Sequence, residues 1–301
     1  MSSADVPSAE PQRLDIALTR SGLVTSRNRA RREIEAGRVF VDGIQAKRAS
    51  AVVKATQNLV VEHADSWVSR SAHKLLNICQ LWNLAPVIQG AVCIDVGAST
   101  GGFTQVLLHY GAHHVVAVDV GHNQLASEIA ADSRVTPWEG QNARCITPAD
   151  IAEKIRGKTP RSADEITFAV ADLSFISLTL ILEPLERLLG KGSQIIALVK
   201  PQFECDRSAL THHGVITQQH HRAEAIYRVK QAAEAAGLHV LRCAPSGMPG
   251  RMGNREYFLQ IHKPRDVDAL HSVGLAPERM ETPPRGITQE DIAVMLEKED
   301  S

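Results

Sequence analysis

Two lysines and two carboxylates occupy telling places in this chain. Asp172 opens the segment Asp172-Leu-Ser-Phe-Ile-Ser-Leu178, directly after the apolar run 166–171. Lys200 opens Lys200-Pro-Gln-Phe-Glu204 after the apolar run 194–199, where the proline stops a strand and sets its exit. Glu256 ends Gly253-Asn-Arg-Glu256 just before the last apolar run, and Lys74 lies inside a helix that begins in Ser69-Arg-Ser-Ala-His-Lys-Leu75. Any one of these alone would read as a surface ion pair. Sharing strand ends, they can hold, take up or give a proton as charge develops on an attacking oxygen.

A fifth segment supplies the other half of a reaction. Asp95-Val-Gly-Ala-Ser-Thr-Gly-Gly-Phe103 joins the strand Val92-Cys-Ile-Asp-Val96 to a helix on which Phe103, Val106, Leu107 and Tyr110 share a face. Glycines allow close backbone approach, and a helix start offers free N–H groups to an anion. The spacing, with Gly97 followed by Gly101 and Gly102, departs from the G-x-G-x-x-G of dinucleotide binders. Asp95 can accept a hydrogen bond from an ammonium group. Asp119 ends the next strand 22 positions after Gly97, where a carboxylate grips ribose hydroxyls. An amino acid at one end and a ribose at the other describe S-adenosylmethionine better than NAD. Its sulfonium methyl is already activated, so the protein has mainly to align a nucleophile and remove its proton. For transfer to a ribose hydroxyl, Lys200 is the expected base, Asp172 and Glu256 orient the lysines, and Lys74 supports the developing oxyanion.

The elements that must position these groups alternate in type from Ser69 onward. Strands are expected at 92–96, 114–119, 166–171, 194–199, 238–243 and 256–261. Helices are expected at 72–82, 103–110, 122–131, 149–156, 178–190 and 221–236. This predicts an α/β fold with a doubly wound, mostly parallel sheet and ligands at the carboxyl ends of its strands. Residues 265–301 are expected to form an extension, partly disordered, with a further helix at 287–297 of unreadable role.

The formal net charge of −1 hides an asymmetry. Between Arg13 and Lys54 there are ten Lys/Arg against four Asp/Glu, a basic module suited to a polyanion. Residues 1–12 read as a disordered tail. A short helix from Leu14, ended by Gly22, precedes a second at 26–36, capped by Thr25 or Ser26 and stopped by Gly37. Strands are expected at Val39–Val41 and Leu59–Val61, with a tight turn at Asp42-Gly43. On the second helix Arg27, Arg29, Arg31 and Arg32 crowd one surface, and acidic partners at i+4 are nearly absent. Guanidinium forks in that number suit RNA, with Arg13 and Arg38 as further contacts. The five cysteines are scattered and read as reduced thiols, and no apolar run approaches the roughly 20 residues that cross a bilayer. The paired histidines at 113–114, 212–213 and 220–221 lack the spacing of a zinc helix, so no metal is expected.

Two sets of motifs carry a family resemblance. Arg13-Leu-Asp15, Ser26-Arg-x-x-Ala-Arg31, Ile34, Gly37 and Val39-x-Val-Asp-Gly43 resemble the RNA-binding domain of ribosomal small-subunit protein four. Arg-Leu-Asp also carries the catalytic aspartate of pseudouridine synthases, but there it lies downstream of such a domain, so Asp15 is read as structural. The glycine segment, Val118-Asp-Val-Gly121, Asn142-Ala-Arg144, Leu173-Ser-Phe-Ile-Ser-Leu178 and Ala197-Leu-Val-Lys-Pro-Gln-Phe-Glu204 resemble the TlyA (hemolysin A-like) family of ribosomal RNA 2′-O-methyltransferases, whose catalytic domain is of the FtsJ type.

The resemblance implies a seven-stranded Rossmann-like methyltransferase sheet preceded by a small α+β RNA-binding domain. The implied boundaries are 13–68 for the RNA-binding domain with its linker and 69–264 for the methyltransferase domain. It implies a tetrad of Lys74, Asp172, Lys200 and Glu256. It also implies S-adenosylmethionine contacts at Asp95, Gly97, Ala98, Ser99, Thr100, Gly101, Gly102, Phe103, Asp119, Asn142, Ala143 and Arg144. The implied acceptors are cytidine riboses of ribosomal RNA, met on ribosomal subunits by a cytoplasmic protein, expected to be a monomer. Two positions depart from the family pattern: Ser69-Arg-Ser-Ala72 replaces a glycine-bearing stretch, and Thr211-His-His-Gly214 replaces a glycine-rich basic one. Rival readings are a non-catalytic RNA-binding or assembly factor and a hemolysin. The intact tetrad argues against the first and the missing membrane-spanning segments against the second.

Overall fold

Valine, isoleucine and alanine fill the strands of the larger part of the chain on both faces, the pattern of a sheet covered on each side by helices. The computed structural model describes residues 11–24, 26–35, 37–61, 67–159, 166–250, 252–265 and 286–300. The chain divides into two units, Met1–Trp67 and Val68–Ser301.

The first unit contains β1 (Gln12–Arg13), α1 (Leu14–Arg20), α2 (Arg27–Glu35), β2 (Val39–Val41), β3 (Ile44–Gln45), β4 (Val52–Val53) and β5 (Leu59–Val61). Ser26 caps α2, its Oγ accepting from the Arg29 N–H at 3.2 Å. Asp42 and Gly43 both take positive φ, 52° and 80°, the requirement of a two-residue hairpin turn, and β2 pairs with β3 across it. On its other side β2 pairs with β5, while β1 pairs with β4. Leu14, Leu18, Ala30, Ile34 and Val39 form the core. Residues 1–10 of the expected disordered tail lie outside the described residues, as do Thr25 and Ala36, whereas Gln12 is already paired with Val53.

The second unit runs α3 (Ser71–Leu81), α4 (Ala85–Ile88), β6 (Val92–Val96), α5 (Gly102–His109), β7 (His114–Val118), α6 (Ser127–Ala130), β8 (Val135–Trp138), α7 (Pro148–Lys154), β9 (Ile166–Ala171), α8 (Leu182–Leu188), β10 (Leu189–Val199), α9 (Pro201–Glu204), α10 (Gln219–Ala235), β11 (His239–Pro245), β12 (Tyr257–His262) and α11 (Gln289–Asp300). Seven strands make one sheet in the order β11-β12-β10-β9-β6-β7-β8. All neighbouring pairs are parallel except those of β12, which runs antiparallel to β10 and β11.

The helix expected at 178–190 narrows to Leu182–Leu188, and β10 starts at Leu189 rather than 194. Two further elements differ from the sequence expectation. The seventh strand, β8, had no separate place in the pattern because Val135-Thr-Pro-Trp138 is short and holds a proline, which only an edge strand tolerates. The helix expected at 122–131 shrinks to Ser127–Ala130, since Asn123 takes φ 56° and the backbone N–H groups of residues 123–125 turn to the Glu139 carboxylate instead. In the extension, residues 266–285 lie outside the described residues, so the disorder expected there is not addressed. Residues 289–300 form a helix whose Ile292 and Leu296 join the core of the sheet.

Candidate active site

The site is built where β6, β9 and β10 end and β12 begins. β6 stops at Val96, and Gly97, Ser99 and Gly101 then take φ 85°, 46° and 91°. Gly97 and Ala98 both donate to the Val118 carbonyl, and Asp172 donates its N–H to Val96, so the turn is laced to β7 and β9. A Cβ on Gly97 would lie 2.5 Å from the Asp172 carbonyl oxygen, and one on Gly102 would lie 2.1 Å from Ser69 Oγ. At Gly97 glycine is therefore demanded by backbone packing, whereas at Gly102 the added atom would meet serine hydroxyls that can turn aside. The Ser69 and Ser71 hydroxyls, 2.7 Å apart, fill the space above Gly102, which accommodates the serine found at 71.

Asp119 staples the turn. Its two oxygens accept the N–H of Ser99 at 2.8 Å and of Gly121 at 2.7 Å. Asp95 sits deeper than its place in the motif suggested. It is fully buried, and its Oδ2 accepts from Thr104 Oγ1 at 2.7 Å, tying β6 to the first turn of α5. Its Oδ1 is buried and takes no hydrogen bond among the described residues. Burial pushes this carboxyl up to about 7, with the Asp172 and Asp119 charges adding to the rise and the Thr104 hydrogen bonds opposing it. A cation seated in the turn is what would compensate it. Asn142 accepts the Arg144 N–H at 3.1 Å, and with Arg144, Thr179 and Leu180 it lines an open cleft of about 550 Å³.

The Asp95 environment gives a pH-dependent expectation. A carboxyl raised from 3.8 to about 7 favours the fold below the lower value and loses that contribution as pH rises through the higher one. Each unit corresponds to about 1.4 kcal/mol, so Asp95→Asn should remove up to about 4 kcal/mol of stability loss between pH 4 and pH 7. Thermal unfolding of both proteins across that window checks this, and parallel curves would refute it. Affinity for S-adenosylmethionine in the natural protein should rise over the same window.

Lysine–carboxylate pairs meet beside this turn. Lys200 Nζ lies 2.7 Å from Asp172 Oδ1 and donates to Ser174 Oγ at 2.9 Å. Lys74 Nζ donates to Glu256 Oε2 at 2.5 Å in a buried pair. Val199 pairs with Tyr257, so Lys200 and Glu256 stand one residue beyond the end of that ladder on neighbouring strands. Ala171, just before Asp172, pairs with both Val96 and Ala197. All four tetrad residues thus reach one edge of the sheet.

Residues that the sequence reading passed over complete the surroundings. Glu204 is buried and accepts from Ser177 Oγ at 2.5 Å and from the Leu178 N–H at 2.8 Å, clamping the loop that follows Asp172. Its place in the motif after Lys200 was the available signal. Asn254, also buried, accepts the Ile216 N–H and donates to the Gly214 carbonyl, joining the histidine-bearing loop to the segment that carries Glu256. Phe175 is 92% exposed at φ 67°, with its ring 5.2 Å from that of Phe203. Holding a non-glycine residue in that conformation costs about 1–3 kcal/mol.

In the first unit the arginines are organised by two buried carboxylates. Asp15 accepts Arg13 through two hydrogen bonds of 3.0 and 3.1 Å and Arg27 at 3.1 Å, with Arg31 at 3.8 Å. The Arg13 hydrogen bonds hold this carboxyl down at about 2. Glu33 binds Arg29 at 2.5 Å and Arg38 at 2.6 Å. The Arg29–Glu33 pair is an i+4 partner, the kind the sequence reading counted as nearly absent. Arg32 is exposed. A guanidinium has five donors, so each paired arginine keeps donors for another anion. Among the described residues no cluster of three or more His, Cys, Asp or Glu could hold a metal ion, and no helix is long and apolar enough to cross a membrane.

The sheet order, with its one antiparallel strand, and the glycine turn with carboxylates at two adjacent strand ends define an S-adenosylmethionine-dependent methyltransferase. The uncompensated Asp95 oxygen fits a cationic methyl donor. Residues 67–263 match the model of the FtsJ-like methyltransferases, and residues 12–59 match that of the S4 domain. The chain belongs to the FtsJ-like methyltransferase family, within its S4-bearing TlyA branch. It is 42% identical to the 16S/23S rRNA (cytidine-2'-O)-methyltransferase TlyA of Mycobacterium tuberculosis, over 89% of this chain and 95% of that one. Hemolysin A of Brachyspira hyodysenteriae is 33% identical over 82% of this chain and 98% of its own. A candidate hemolysin from Streptococcus thermophilus superposes with a TM-score of 0.67 at 31% identity, covering 97% of this chain and 98% of that one.

Proposed function

We propose that this protein methylates the 2′-hydroxyl of a cytidine ribose in ribosomal RNA, with S-adenosylmethionine as donor. The observation that carries this reading is the pair of lysine–carboxylate contacts, Lys200–Asp172 and Lys74–Glu256, at neighbouring strand ends beside the glycine turn. The donor supplies a methyl group on a positively charged sulfur. Asp95, the turn from Gly97 to Phe103, Asp119 and the segment 142–144 hold it.

Lys200 Nζ accepts the proton of the ribose hydroxyl as the oxygen–methyl bond forms and the sulfur–methyl bond breaks. Asp172 keeps the nitrogen aimed. Lys74, held by Glu256, stabilises the negative charge that develops on oxygen. Phe175 offers its exposed face to a base of the acceptor, since stacking on an aromatic ring holds an unpaired nucleotide. Residues 13–68 form the RNA-binding domain and its linker, residues 69–264 the methyltransferase domain and residues 265–301 an extension. Arg13, Arg27, Arg29, Arg31, Arg32 and Arg38 contact phosphates. The protein acts as a monomer on ribosomal RNA or subunits in the cytoplasm.

Transfer of labelled methyl to unmodified ribosomal RNA, followed by mass mapping of the product, tests this. Methyl on a cytidine ribose is expected. Phe175→Ala should lower kcat/KM for the RNA about tenfold or more, because stacking contributes about 1–3 kcal/mol per base. Label confined to a base, or absent from RNA, would overturn the reading.

A further inference from the structure

The extension beyond the matched family region ends in an unusual helix. Thr288 and Asp291 form a reciprocal cap at the start of α11, with the Thr288 N–H donating to Asp291 at 2.7 Å and the Asp291 N–H to Thr288 Oγ1 at 3.1 Å. Ile287 donates to the Val240 carbonyl on the edge strand β11. Ile292 and Leu296 are buried against the sheet. So far this is ordinary packing.

The last turn is not. Glu299 and Asp300 place two negative charges at a helix C-terminus, where the dipole disfavours them. They are compensated by residues of the sheet. Tyr257 donates its hydroxyl to Glu299 at 2.8 Å, and Arg255 binds Asp300 and lies 3.7 Å from Glu299. Arg222, buried on α10, holds the other Asp300 oxygen at 2.5 Å.

Arg255 and Tyr257 are the two neighbours of Glu256. In extended chain, alternate side chains point to opposite faces. Tyr257 and Arg255 turn toward α10 and α11. Glu256 turns the other way with Phe258, whose ring lies 6.0 Å from Phe103 of α5, on the side where α3 brings Lys74. The segment that opens β12 is therefore gripped from both faces at consecutive residues.

We propose that α11 is a brace for the Lys74–Glu256 pair, with Glu299 and Asp300 as positioning residues for methyl transfer. They fix residues 255 and 257, so that the Glu256 carboxylate meets Lys74 without a search among conformations. The inference rests on the catalytic reading of that pair given above.

The test uses the full-length chain with labelled S-adenosylmethionine and unmodified ribosomal RNA. Glu299→Gln with Asp300→Asn keeps the size and helix propensity of both residues while removing the charges. The expected result is a kcat about ten- to a hundredfold lower, the range that a misplaced catalytic group costs. The KM for either substrate should change little, and thermal unfolding should show the variant folded at the assay temperature. Asp300→Glu, which keeps the charge, should recover most of the loss. Added to Glu256→Gln, the double change should lower kcat no further, because both act through one pair. An unchanged kcat in the folded double variant, or a loss that simply multiplies that of Glu256→Gln, would overturn the brace. Full activity in Glu256→Gln alone would instead overturn the catalytic reading of the pair and this inference with it.

Discussion

Lys200→Ala lowers the rate of methyl transfer by about two to four orders of magnitude, the usual contribution of a positioned acid or base. In the proposed mechanism Lys200 takes the ribose proton, and at 2.7 Å Asp172 leaves it few other orientations. Its nitrogen lies on the exit of β10 and forms no part of the turn proposed to hold the donor, so affinity for S-adenosylmethionine should stay nearly constant. Lys200→Arg should not rescue the rate, because a guanidinium keeps its proton and cannot serve as a base. Single-turnover transfer and isothermal titration, on proteins with matching circular dichroism, separate these effects. A folded Lys200→Ala variant with natural rates would remove the base from the mechanism.

Gly97→Ala should weaken donor binding by a different route. The residue holds φ 85°, which costs an L-residue about 1–2 kcal/mol. The new Cβ would also stand 2.5 Å from a backbone oxygen, that of Asp172. Backbone cannot rotate away as a flexible side chain can. The turn or the start of the 172–178 loop must move, and with it the partner of Lys200. Affinity for the donor and kcat should therefore fall together, each about a hundredfold, the cost of roughly 1 Å of misplacement. Gly157→Ala is the control, since it has φ 75° and nothing within 4 Å of the added atom. It should lose about 1 kcal/mol of stability and keep its activity. Equal donor affinity in Gly97→Ala and the natural protein would show that the turn tolerates displacement.

Much of the fold was legible because local pattern and tertiary role coincide in this sheet. β6 and β7 are buried along their whole length and built mostly of Val, Ile and Ala, a composition that persists only where both faces are covered. The glycine turn announced itself, since positive φ at 97 and 101 leaves few alternatives to glycine. β8 was lost because four residues with a proline carry no period. The helix at 122–131 was overread because the Glu139 carboxylate, 14 to 16 residues away, captures the N–H groups that a helix would have left open.

The candidate site divides in the same way. The motifs around Asp95, Asp172, Lys200 and Glu256 pointed to the chemistry proposed for it, because strand ends in a parallel sheet point where ligands bind. They could not tell which lysine meets which carboxylate. The Lys74–Glu256 contact spans 182 positions, and only the placement of α3 beside the start of β12 makes it. Asp95 was read as a ligand contact from its spacing alone, and only the depth of β6 shows that the carboxyl is fully buried with one oxygen unpartnered among the described residues.

By itself, then, the amino-acid order determined the glycine turn proposed to cradle the donor, the basic character of the first unit and the alternation of strand and helix. These are consequences of residue type and short spacing. Tertiary structure alone decided that two buried carboxylates gather five of the arginines, that each lysine has its own carboxylate, and that a helix at 289–300 grips both neighbours of Glu256. Charges and hydrogen bonds act over a few ångströms, and chain distance does not report which groups the packed core brings that close.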